Sequence, residues 1–270
     1  MNLASSLFVS HGSPMFALKP GRLGPNLRAI GAALRDLAAV LVVSPHWQTS
    51  PVRVGTAAAP PTIHDFGGFP EPLFALQYPA PGAPALAAEA VRLLAQADFL
   101  VTADPARGLD HGAWVPLRHL LPGADVPVFQ VSMPRHLDTA GALRLGRALA
   151  PLRLQGVLVV GSGSLTHNLF EFRRQVRDPD YAQAFADWIG DAVGARDLDA
   201  LLDYRRRAPH AERAHPTEEH FLPLLVALGA STDDEPVRRI AGGMTDGVLS
   251  MDSFGFGLPA AADAALREAA

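Results

Sequence analysis

The 270-residue sequence contains no cysteine. Disulfides, thiolate metal sites, iron–sulfur clusters and cysteine nucleophiles are therefore excluded, and any metal must be held by histidine and carboxylate. Basic residues are not in excess either: 23 Lys and Arg stand against 27 Asp and Glu, a net charge of −4. Nucleic acid or an anionic membrane finds no positive footprint on such a chain. Long apolar runs are also missing. None approaches the roughly 20 residues needed to span a bilayer, and MNLASSLFVSHG has no basic start ahead of a long apolar stretch. A cytoplasmic protein without a membrane segment is expected.

Hydrophobic residues make up 49% of the chain, enough to fill the core of one α/β domain over residues 1–270. Three apolar runs each lead to a histidine: Ser6–Ser10 to His11, Ala38–Val43 through Ser44-Pro45 to His46, and Gly156–Val160 through Gly161-Ser162-Gly163-Ser164 to His167. Buried strands that release histidines at their carboxyl ends are how an open α/β sheet builds a site. Helical spacing over Pro25–Leu37, Leu86–Ala97 and Ala140–Leu152 places helices between strands, with further strands at Val52–Thr56, Phe99–Thr102 and Val126–Val131. The fold class expected is α/β, with a mostly parallel, mixed central sheet flanked by helices on both faces.

The Pro- and Gly-rich stretch Ala57–Pro84 is long enough to serve as a lid or pocket wall. Asp104–Val115 is a turn-rich connection into a short helix. In the last third, Pro179–Leu202 reads as two helices and Tyr204–Arg207 as a solvated basic turn. Pro236–Ile240 and Val248–Phe254 read as late antiparallel strands. Thr217–Leu228 predicts a helix capped by Thr217, with His220 near its start.

The chemistry rests on ten histidines. His11, His46 and His220 can form a facial set of three ligands that leaves positions open for substrate and for oxygen or water. His167 is either a fourth ligand or a neighbour of the set. Glu218 and Glu219 precede His220, and on a helix beginning at Thr217 the side chains of Glu219 and His220 point about 100° apart, so one of the two faces the metal. His220 is the favoured one. Gly161–Ser164 does not have the spacing of a nucleophile elbow.

The strings HGSPM (11–15), SPHW (44–47), PPTIHDFGGFPEPLF (60–74), YPAPG (78–82), RGLDHGAWVPL (107–117), GSGSLTHNL (161–169) and HPTEEHFLPLL (215–225) resemble the class III extradiol ring-cleavage dioxygenases, in particular the 4,5-DOPA dioxygenase extradiol group. The resemblance implies one non-haem divalent metal, Fe(II) for turnover or Zn(II) as a bound form. It implies a small catecholic substrate and dioxygen as partners. It matches His11, His46 and His220 to metal-binding positions and His167 to another histidine at the metal. On this reading His167 is the base and later the acid, and His111 is a second proton-handling group. His64 and Asp65 contact the polar tail of the substrate, and Phe66, Phe69, Trp47 and Trp114 supply ring-stacking walls. His119, His136, His210 and His215 receive no role. Two other classes use the same residues: a zinc hydrolase with a metal-activated water, and a non-catalytic binding protein of the same fold.

Overall fold

The computed structural model describes residues 3–176 and 178–268. Its strands are β1 (Ser6–Ser10), β2 (Ala39–Thr49), β3 (Val52–Gly55), β4 (Val101–Asp104), β5 (Val128–Pro134), β6 (Val157–Gly163), β7 (Val237–Ile240), a small hairpin of β8 (Met244–Thr245) and β9 (Leu249–Ser250), and β10 (Ser253–Phe256). Eight of them form one sheet in the order β4-β3-β5-β2-β6-β1-β10-β7.

The uninterrupted apolar runs are the middle of this sheet, because a strand with no polar face must be covered on both sides. Alternate residues of β2 and β6 point to opposite layers. Leu41, Val43 and Val159 pack with the helices Pro84–Gln96, Thr139–Leu149, Pro179–Gly194 and Leu222–Ala230. Val40, Val42, Leu158 and Val160 pack with Leu23–Ala33, His111–Leu120 and Ala260–Glu268. The α/β class with helices on both faces is therefore the observed one. Parallel pairing holds the central block, β5-β2-β6-β1. The flanks are mixed. β10 is antiparallel to β1 and to β7, and β3 is antiparallel to β5 while parallel to β4. Only Ser50 and Pro51 separate β2 from β3, too few residues for a parallel crossover, so the chain has to turn back.

The expected helix Thr217–Leu228 is corrected: the helix runs from Leu222 to Ala230, and His220 lies in the turn before it. Pro223 is the physical reason, since inside a helix begun at Thr217 it would lack a donor and crowd the carbonyl of residue 219, whereas in a first turn it is tolerated. Thr217 does not cap the helix, and its hydroxyl donates to Glu219 Oε1 at 3.0 Å. Tyr204–Arg207 is a short helical turn in which Tyr204 is buried against Phe221, with ring centroids 3.8 Å apart. Arg206 and Arg207 are solvated as expected. Among the described residues, no helix is long and apolar enough to cross a membrane.

Candidate active site

The carboxyl ends of β1, β2 and β6 bring the predicted histidines together. His11 follows β1, and its backbone N–H donates to Gly163 O at 2.8 Å, extending the β1–β6 ladder by one residue. His46 sits where the β2–β5 register shifts between Ser44 and Gln48. An irregularity of this kind re-aims a side chain out of the sheet. His111 is the first residue of its helix, whose N-cap Asp110 accepts from Ala113 N. Gly112 must be glycine, because a Cβ there would collide with Ser44 Oγ and press on the His46 ring. His220 is laid against β6 in the same way: Ser164 N donates to His220 O at 3.0 Å, and a Cβ on Gly163 would strike that carbonyl.

The ring centroids of His11, His46 and His220 form a nearly equilateral triangle with sides of 5.0, 5.1 and 5.4 Å. Imidazoles that each place a nitrogen about 2.1 Å from one ion have centroids about 5 Å apart. His167 and His111 sit differently. His167 stacks on His220 at 3.4 Å with only 10° between the rings, and His111 lies 3.9 Å from His46. Rings stacked like His167 and His220 do not converge on one ion at ordinary ligand angles, and His46 and His111, tilted by 38°, stand closer together than two ligands of one ion do. Atom separations alone group His11 with His46 and His111, and His167 with Glu219 and His220, each within 4.8 Å. The spacing of the rings instead sets His11, His46 and His220 apart, at the separations expected of three ligands on one ion.

Hydrogen bonds on the outer side fix the tautomers. Ser162 Oγ gives its only proton to Gly112 O and lies 2.9 Å from His11 Nδ1, so it accepts from that nitrogen. Glu219 Oε1 accepts from His220 Nδ1 at 3.0 Å, and Asp65 Oδ1 accepts from both the backbone N–H and Nδ1 of His111, at 2.9 and 3.0 Å. His11 and His220 therefore carry their proton on Nδ1 and leave Nε2 unprotonated. The Nε2 atoms of His11 and His46 lie 3.1 Å apart. His220 Nε2 is buried with no hydrogen-bond partner.

The electrostatics keep His11, His46, His167 and His220 neutral. Burial, and then the neighbouring histidines, hold His11 and His220 well below the usual imidazole range. Burial likewise brings His46 and His167 down to about 4. Burial works upward on Asp65, but its bonds from His111 outweigh that and hold the carboxyl at about 2. Neutral imidazoles with buried, inward lone pairs and outward protons bound to Ser or carboxylate are the donor set a divalent metal requires. The residues fit such an ion.

Asp65 and Phe66 come from the long connection, which is pinned by Trp114 Nε1 donating to Ile63 O at 3.0 Å. His64 Nε2 donates to Leu76 O at 2.9 Å. The Phe66 ring stands 5.6 Å from His111 and 5.6 Å from Phe69. Trp114 is wholly buried, and Trp47 is buried beneath the Arg107 guanidinium. His119 and His215 bond backbone carbonyls, of Phe16 and Leu165. Ser162 was not singled out in the sequence. Its signal is alternation along β6: glycine 161 faces Pro223 in the helix Leu222–Ala230 and glycine 163 faces His220 in the turn before it, leaving the hydroxyl between them to face the site.

Residues 7–244 match the family described as the catalytic LigB subunit of aromatic ring-opening dioxygenase. The chain belongs to this family. It is 38% identical to a 4,5-DOPA dioxygenase extradiol of Beta vulgaris, over 94% of this chain and 97% of that protein. It is also 38% identical to a protein of the same name from Escherichia coli strain K12, over 93% of this chain and 94% of the relative. The crystal structure of an uncharacterized Escherichia coli K12 protein matches with a TM-score of 0.74 and 32% identity, over 94% of this chain and all of the other. The LigB-family chain is thus an extradiol aromatic ring-opening dioxygenase whose histidine cluster can hold a metal.

Proposed function

We propose that His11, His46 and His220 hold one divalent metal, ferrous iron for turnover with zinc as an alternative bound form, and that the substrate is a catechol such as L-DOPA, opened at the 4,5 bond. The observation that carries the ligand set is the triangle of rings, in which the Nε2 atoms of His11 and His46 lie 3.1 Å apart and that of His220 is buried without a partner. The relatives named for 4,5-DOPA support the substrate. Iron at this position supplies the redox-active, Lewis-acidic centre at which a catechol and dioxygen meet.

The chain's own residues handle binding and protons. His167, neutral because burial holds it at about 4, takes a phenolic proton on an imidazole nitrogen and returns it to the opened product. His111 offers the lone pair of Nε2 to a substrate hydroxyl, while Asp65 keeps the other proton on Nδ1. His64 and Asp65 border the substrate on that side, where Phe66 faces the ring. Anaerobic loading with Fe(II) or Zn(II), followed by catechol in an oxygen electrode, tests the reading. Oxygen uptake that needs both iron and catechol is expected, and oxygen-independent hydrolysis by the zinc form would replace it with a zinc hydrolase.

A further inference from the structure

A cavity of about 370 Å³ reaches the histidine cluster through Glu219, which lines it and bonds the His220 ring. Gln48, two residues beyond His46, lines one side, and Glu219, whose carboxylate holds the His220 ring, lines another. The floor is apolar at Met133, the register partner of Gln48 on β5, and at Leu222. The rim carries both signs of charge, from Arg135 and Arg205 and from Glu218. Arg205 is half-buried and steadied by donating one N–H to His215 O at 2.9 Å. Among the described residues, Arg205 and Arg135 have no carboxylate within ion-pair distance. A held guanidinium without a carboxylate partner suits a carboxylate, and Glu218, with no cation within ion-pair distance among the described residues, suits an ammonium.

We infer that this cavity, rather than His64 and Asp65, receives the amino-acid tail of the proposed substrate, its carboxylate on Arg205 and Arg135 and its ammonium on Glu218. The volume is within the range of small-molecule sites. The inference rests on the ring-opening reading, since it places the catechol ring at the histidines next door. Binding at a distance from the reacting ring stabilises ground and transition states alike, so tail contacts act on KM more than on kcat.

The test is a panel of four catechols on the iron-loaded protein: L-DOPA, its analogue without the amine, dopamine, and 4-methylcatechol. The wild type should prefer L-DOPA through KM. In Arg205→Gln and Arg135→Gln the preference for carboxylate-bearing catechols over 4-methylcatechol should fall about 10- to 100-fold, the size of a lost charge-assisted bond. Glu218→Gln should lower the preference for the amine-bearing pair instead. Calorimetric binding of the same four compounds to the metal-free protein gives the same ranking without turnover, and the exposed Arg135 is a second variant should Arg205→Gln fail to fold. Equal KM values and equal affinities across the panel would overturn the tail site and leave ring opening standing. Ranked affinities without turnover of any catechol would support the tail site and overturn the ring-opening reading.

Discussion

A histidine is held as a ligand when something accepts a bond from its other nitrogen, and Ser162 and Glu219 do this for His11 and His220, while Asp65 does it for the proton-handling His111. Replacing His11, His46 or His220 by Ala should abolish metal binding in elemental analysis of the purified variants. A full complement of metal in any one would remove that residue from the set. Glu219→Gln keeps an acceptor for His220 Nδ1 and loses only the charge, so metal affinity measured by chelator competition should weaken modestly, by about tenfold. A loss as complete as that of His220→Ala would make Glu219 itself a ligand. His167→Ala should retain its metal and lose about 10²–10⁴-fold in turnover, whereas metal and activity falling together would make His167 a ligand. His11, His46 and His167 were legible because each follows an apolar run, and His220 and His111 because they stand in strings that carry the family resemblance. Their outer partners were not: Ser162 is 151 residues from His11 and Asp65 is 46 from His111, and only the folded chain brings them together.

At the scale of elements, the strands were legible to within a few residues, since buried runs of β-branched residues leave little choice. The helix that follows His220 was misplaced because the Thr-Glu-Glu string resembles a capped first turn, while Pro223 sets the real start. The consequence is chemical. A histidine in a turn rather than on a helix can lean back onto Glu219, its immediate neighbour. The close approach of this turn to β6 depends on Gly163. Gly163→Ala should therefore destabilise the protein by about 1–3 kcal/mol and reduce metal retention by displacing His220, read together by thermal unfolding and metal analysis. An unchanged melting temperature with full metal content would show that this contact does not position the ligand.

Across the whole molecule, neutral imidazoles are packed inside a chain that would protonate them once unfolded. Burial lowers His215 to about 3 against an upward pull from its bond to Leu165 O, and lowers His46 and His167 to about 4, from an ordinary value of 6.5. Between pH 6.5 and about 4 the unfolded chain binds more protons than the folded one, so the stability of the metal-free protein should fall as pH falls through that window. Thermal unfolding from pH 7 to 4.5 checks this, and a flat melting temperature would contradict it. The α/β class and the mixed sheet were legible in the alternation of strands and helices. The antiparallel β3 was not, because its direction follows from a two-residue link that propensity does not register. Labelled dioxygen tests ring opening at the histidine cluster most directly. With ¹⁸O₂, the iron-loaded protein and a catechol, both labelled atoms should appear in the ring-opened product when it is reduced at once to prevent exchange with water. An iron-loaded protein that leaves the catechol ring intact, or opens it without label, would contradict the assignment.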